Sequence, residues 1–170
     1  MPQQATFLVV EDNFDDAILL KRAFTKAKIR NAVHFARTGE EAVTYLTGVG
    51  MYSNRAKYPL PALILLDLKM PGMSGHEFLG WLRGREEFRS LRVVVLSSSD
   101  ETRDVKLAYK LGANSFLIKP ADFDRFVEIS QALSGYWIWM DKALKPEAAT
   151  SGDTEVTRRA TQVARPVGGS

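Results

Sequence analysis

Five times along this chain a short, densely apolar run is followed by a stretch with helical spacing, and that alternation restricts the fold more than any other feature. The runs are Ala5–Val10 (ATFLVV), Ala32–Ala36 (AVHFA), Ala62–Leu66 (ALILL), Arg92–Leu96 (RVVVL) and Asn114–Ile118 (NSFLI). Three of them are nearly continuous in apolar residues, which suits parallel strands covered on both faces, whereas the second is more mixed and fits an edge. Helical spacing follows each run. From Asp15 to Ala27, the positions Ala17, Leu20, Ala23, Phe24 and Ala27 recur on one face, with basic residues opposite. A second helix is expected over Gly39–Thr47, a third from Ser74, and a fourth over Thr102–Leu111 with Gly112 just past its end. The fifth starts at Asp122, a natural N-cap, and runs toward Leu144. The pattern predicts a doubly wound α/β domain on a five-stranded parallel sheet, with right-handed crossovers.

Two segments stand outside the alternation. Gly48–Pro61 (GVGMYSNRAKYPLP) is longer than an ordinary helix-to-strand connection and rich in turn formers, so it is expected as a long surface loop. From Lys145 to Ser170 the chain has few large apolar residues and no aromatics. Such a segment cannot offset the entropy of ordering, and a disordered tail is expected there, leaving 1–144 as the folded domain.

Composition then removes several classes of function. The formal charge of +3, from 23 basic and 20 acidic residues, is too balanced for a nucleic-acid surface, and Glu86 and Glu87 dilute the cluster of Arg83, Arg85 and Arg89. No apolar run approaches the ~20 residues of a membrane span. The opening MPQQATFLVV has no basic segment ahead of a separate apolar core, so no secretory signal is expected. Cysteine is absent, which excludes disulfides and thiolate metal sites and agrees with a cytoplasmic location.

The chemistry is expected at the strand ends, because open parallel sheets bind ligands beyond the carboxyl ends of their strands. Glu11 and Asp12 follow the first run, Asp67 the third, Ser97 the fourth and Lys119 the fifth. Each alone has an ordinary explanation: strand-end Asp and Lys-Pro make turns, Ser97–Ser99 makes a polar loop, and Glu11 and Asp12, with Asn13, Asp15 and Asp16, can cap the next helix. Together they form a functional set. Clustered carboxylates repel unless a cation is present, and oxygen ligands without His or Cys suit a hard ion such as Mg²⁺. With Lys119 and the Ser97 hydroxyl added, the set can spread charge over a transferring phosphoryl group, with Asp67 as nucleophile.

The ordered elements LVVEDN, LILLDLKMPGMSG, VVVLSSS and FLIKP, spread over Ala5–Leu144, resemble the receiver domain of response regulators in two-component signalling. The resemblance implies a flavodoxin-like sheet of strand order 2-1-3-4-5 and phosphorylation of Asp67 by a histidine kinase. It implies Asp12 and Asp67 as Mg²⁺ ligands, the Lys69 backbone carbonyl as a third, and Glu11 acting through water. Ser97 matches the hydroxyl residue that moves to the phosphoryl group, and Lys119 the lysine that pairs with it. Phe116 matches the aromatic switch position, ordinary packing being the other reading, and Lys119–Pro120 would be a cis bond. On this view the protein is no enzyme beyond self-phosphorylation and slow self-dephosphorylation.

The long loop and the GYWIWMDKAL segment further resemble stand-alone receivers that partner phytochrome-type kinases. Tyr136, Trp137 and Trp139, in a contiguous run that one core cannot absorb, point to a partner or homodimer surface on the last helix, a covering by the tail being the other reading. Neither a nucleic-acid nor a membrane partner is expected. Two alternatives compete: a receiver-like interaction module without phosphotransfer, and an aspartyl-phosphate hydrolase. The first normally lacks a pocket acid or the lysine, and here all are present. The second requires an acid two residues after its nucleophile, where this chain has Lys69.

Overall fold

The structure is a computed structural model that describes residues 5–143, the side chains of 136–143 excepted. Residues 5–18 and 30–119 make one compact unit, and residues 19–29 and 120–143 a second.

The first unit is built on the sheet. Its strands are β1 (Phe7–Val10), β2 (Val33–Ala36), β3 (Leu63–Leu66), β4 (Arg92–Ser97) and β5 (Ser115–Ile118), all pairings are parallel, and the order is β2-β1-β3-β4-β5. This is the flavodoxin-like order that the motifs implied. Every residue of β1 and β3 is buried, as is all of β4 after Arg92, so both faces of the central strands are out of water. That burial is why their sequences read as apolar runs rather than as alternations. The more mixed β2 lies at an edge and is buried only at Ala36.

The helices are α1 (Phe14–Lys26), which begins in the first unit, α2 (Gly39–Thr47), α3 (Gly75–Arg83) and α4 (Thr102–Lys110). Leu8 and Val10 of β1, Ile64 and Leu66 of β3, and Val93 and Val95 of β4 share one face of the sheet. They join a core cluster with Tyr45 and Leu46 of α2, Phe78 and Leu82 of α3, and Ala108 of α4. Local signals fix the helix ends. The Thr38 and Ser74 hydroxyls accept the amides of Glu41 and Glu77 at 3.0 and 3.1 Å, and Gly48 takes a left-handed φ of 70° at the end of α2. The second unit holds the rest of α1 and α5 (Phe123–Ala143), whose Asp122 side chain accepts the Arg125 amide at 2.9 Å. The aromatic side chains Tyr136, Trp137 and Trp139, and the tail 145–170, lie outside what the structure describes.

The segment Gly48–Pro61 is more organised than a long surface loop. It contains a 3₁₀ turn at Gly50–Ser53 and is tied to α2 by Arg55, which donates to the carbonyls of Tyr45, Leu46 and Tyr58 at 2.8, 2.5 and 3.2 Å. The first two of these carbonyls belong to the last turn of α2, whose acceptors lack a following turn of the helix to pair with; Tyr45 also accepts the Gly48 amide at 3.2 Å. Tyr52 and Tyr58 pack ring against ring at 5.1 Å, and the Tyr52 hydroxyl donates to Glu41 at 2.8 Å. Turn formers mark where a loop bends; only the fold shows which side chains fasten it.

After β3 the chain must turn sharply. Gly72, following Pro71, has φ 73°, and the Gly75 amide donates to the Leu68 carbonyl at 2.9 Å. A β-carbon on Gly75 would run into the Asp67 carbonyl and come within 2.6 Å of the Leu68 Cα. The glycine thus lets α3 start hard against the strand end that carries Asp67. Gly75→Ala is expected to lose about 2–3 kcal/mol of unfolding free energy by overpacking. Gly80→Ala, mid-helix with its nearest neighbour at 3.9 Å, should gain about 0.5–1 kcal/mol. Urea denaturation of the two variants checks the contrast.

Candidate functional site

Parallel strands put all their carboxyl ends on one edge, and the register aligns them closely. Val10 lies opposite Leu66, Leu66 opposite Val95, and Ser97 opposite Ile118. The residues that follow are therefore neighbours: the Asp67 amide donates to the Val10 carbonyl at 3.0 Å, and the Lys119 amide to the Ser97 carbonyl at 2.8 Å. Glu11, Asp12, Asp67, Ser97 and Lys119, separated by up to 108 positions in sequence, meet at this edge.

Lys119 is the hub. Its ammonium lies 2.7 Å from Glu11 Oε2, 2.9 Å from Asp16 Oδ2 and 3.4 Å from Asp67 Oδ2. The Lys119, Glu11 and Asp67 side chains are only 10, 6 and 7% exposed, while Asp16 retains 33%. Burial works against the charge of Lys119, but the hydrogen bonds to Glu11 and Asp16 and the Asp67 charge outweigh it and hold the ammonium protonated above the usual lysine range. Burial also dominates the two buried acids. It pushes Glu11 up to about 7, with Asp67 adding to the rise and Lys119 opposing it. It pushes Asp67 above its ordinary value against the Lys119 charge and the Lys69 backbone N–H.

A metal centre fits this arrangement. Glu11, Asp12 and Asp67 each offer a carboxylate oxygen, and these oxygens lie within 4.8 Å of one another. The donors are all oxygen, the choice of hard divalent ions. Two of the three acids have carboxyls raised by burial, and a cation bound among them would favour their ionised forms.

Among the other expected residues, Ser97 is fully buried and its hydroxyl accepts the Ser99 amide at 3.2 Å. Ser99 donates in turn to Asp104 of α4 at 2.5 Å. The Lys69 side chain is exposed; only its backbone faces Asp67. Phe116 is 2% exposed and packed in the core cluster, with its amide donating to the Tyr109 hydroxyl at 3.1 Å. Lys119–Pro120 is trans, not cis as the resemblance implied, which is the ordinary state of an X–Pro bond.

Asp16 is the residue that sequence reasoning missed, having been grouped with the capping residues. The cap is Asn13, whose side chain accepts the Asp16 amide at 3.0 Å. No local pattern sets Asp16 apart, because its side-chain partner is a lysine 103 residues away.

Residues 7–131 match the family model described as the response regulator receiver domain. The chain is 30% identical to the response regulator Rcp1 of Synechocystis over 77% of its own length and 87% of that protein. A manganese-bound structure of Rcp1 superposes with a TM-score of 0.70, covering 78% of this chain and 94% of that one. The phosphorylated cyanobacterial phytochrome response regulator RcpA gives 0.73 at 31% identity, covering 79 and 94%. RPA3017, from red light signalling in R. palustris, gives 0.75 at 35% identity over the same shares. No helix among the described residues is long and apolar enough to cross a membrane.

The raised Glu11 carboxyl has a consequence for stability. Since its folded value, about 7, lies above the ordinary 4.5, the folded state holds a proton that the unfolded chain has released between those values. Stability in chelator should therefore fall as pH rises from about 4.5 to 7, by up to roughly 3 kcal/mol. Excess divalent cation, which favours the ionised carboxylate, should remove most of that decline; thermal melts across the range with and without cation check it.

Proposed function

Because the chain belongs to the response regulator receiver family, we propose that it takes a phosphoryl group from a histidine kinase onto Asp67 and signals by changed protein contacts. The observation that carries this reading is the Lys119 ammonium, held between Glu11 and Asp67 at the mouth of a three-carboxylate cluster. An Asp67 carboxylate oxygen attacks the phosphorus of a phosphohistidine. An O–P bond forms, the P–N bond breaks, and the imidazole nitrogen leaves with the electron pair.

This chain's residues supply the surroundings of that step. Lys119, already protonated, offers a positive charge to the phosphoryl oxygens without a proton transfer. On this reading the ion would be Mg²⁺, and Asp12, Asp67 and the Lys69 backbone carbonyl would hold it, with Glu11 acting through water. When bound, it neutralises the carboxylates and the incoming phosphoryl charge. Ser97 would leave the Ser99 amide to donate to a phosphoryl oxygen. Its departure from the β4–α4 connection would release the Ser99–Asp104 link and allow Phe116 to shift, a two-state response read out on the surface of α4 and β5. Slow hydrolysis of the acyl phosphate returns the resting state.

The likeness to RcpA and RPA3017 supports a phytochrome-type kinase as the phosphodonor. A receiver-like module without phosphotransfer is disfavoured because both pocket acids, the acceptor and the lysine are all retained. A hydrolase is disfavoured because the position two residues after Asp67 is an exposed lysine.

Acetyl phosphate with Mg²⁺ is expected to add one phosphoryl group to the wild type and none to Asp67→Asn, read by intact mass. Equal labelling of the variant would place the acceptor elsewhere. Lys119→Met should bind Mg²⁺ at least as well as the wild type, since a competing cation is gone, yet reduce the effect of beryllofluoride on the Phe116 and α4 NMR signals. Truncation after Leu144 should leave labelling intact.

A further inference from the structure

Lys119 has three N–H donors, and three carboxylates already engage it: Glu11 at 2.7 Å, Asp16 at 2.9 Å and Asp67 at 3.4 Å. A phosphoryl oxygen arriving on Asp67 finds no donor of this ammonium free, so one of these contacts must give way. We propose that Asp16 is a positioning residue that holds Lys119 toward α1 in the unphosphorylated protein and competes with the phosphoryl group for its ammonium.

This inference rests on the reading of Asp67 as phosphoacceptor and adds a residue to it. Two observations single out Asp16. First, the ammonium lies 0.5 Å closer to Asp16 than to Asp67 (2.9 against 3.4 Å), so of these two contacts the one to the helix is the tighter. Second, the three partners differ in what they lose when released. Glu11 is 6% exposed, and its charge, once unpaired, would be stranded away from water. Asp67 becomes the phosphoryl carrier itself. Asp16 is 33% exposed and can exchange the ammonium for water. It is the partner most easily given up, and the Asn13 cap that fixes its helical turn survives the exchange because it uses the Asp16 backbone amide.

Charge sharpens the competition. Asp16 adds a negative group beside a cluster that must accept an anionic donor, and it draws away the side-chain cation that would receive it. Removing that charge while keeping the shape should therefore improve capture of a phosphoryl group. A loss of fold could only impair it, so the direction of the effect separates positioning from a structural role.

The test uses the full chain with saturating Mg²⁺ and two probes, beryllofluoride and acetyl phosphate. Asp16→Asn should lower the half-saturating concentration of each by roughly three- to fivefold, the range expected for one partly exposed ion pair. Asp16→Ala should behave like Asp16→Asn, and Asp16→Glu should return the wild-type values. In chelator, with no ion present, the ¹⁵Nζ resonance of Lys119 should shift in Asp16→Asn and Asp16→Ala and stay near its wild-type position in Asp16→Glu. Wild type that takes neither probe defeats the phosphoacceptor reading, and this inference with it. Wild type that takes both, alongside an Asp16→Asn protein that is equal or weaker, overturns the role of Asp16 alone.

Discussion

A single buried ammonium has to answer for several carboxylates at one edge of this sheet, and the remaining architecture follows from making that tolerable. Lys119 at 10% exposure and Glu11 at 6% are a pair that would be costly to take from water separately. Their 2.7 Å contact compensates each, but it does not balance the cluster: Asp12, Asp67 and Asp16 remain, with the same lysine touching two of them. Burial raises the carboxyls of both Glu11 and Asp67, with the Asp67 charge adding to the rise at Glu11. One ammonium among four carboxylates leaves the edge short of positive charge, an arrangement compatible with a divalent ion.

The sheet makes the cluster possible because its geometry is inflexible where it matters. Two fully buried central strands, β1 and β3, end one residue before Glu11 and Asp67, and β5 ends one residue before Lys119. Hydrogen bonds carry the register past those ends, through Asp67 to Val10 and Lys119 to Ser97. Behind Asp67 the chain turns through Gly72 and packs Gly75 onto the strand end, so Asp67 is braced by backbone. The β4–α4 side is built otherwise. Ser97, Ser99 and Asp104 form a chain of hydrogen bonds from β4 to α4, and Phe116 sits in the core with its amide tied to Tyr109 of the same helix. A rigid strand end beside a hydrogen-bonded relay would suit the proposed phosphorylation of Asp67, with charge as the signal.

How far these features could be read in advance depended on the range of the interaction behind each. The apolar runs announced β1, β3 and β4 because burial on both faces leaves no room for alternation, and Ser74, Gly112 and Asp122 marked helix ends through contacts within a few residues. Glu11, Asp12, Asp67, Ser97 and Lys119 were legible as a set because parallel topology brings every strand end to one edge. The fastening of the 48–61 segment by Arg55 and its tyrosines was not legible, since carbonyl acceptors leave no trace in a sequence. Asp16 was misassigned for a related reason: near a helix start, an aspartate that caps and one that reaches across to a lysine 103 residues away look alike.

By itself, then, the sequence determined the alternating α/β order, the helix caps and the identity of the acids and the lysine at the strand ends, all set by local burial patterns and short-range hydrogen bonds. Only the tertiary structure decided how Lys119 divides itself among Glu11, Asp16 and Asp67, because that division depends on distances and exposures created when chain segments far apart in sequence are packed together.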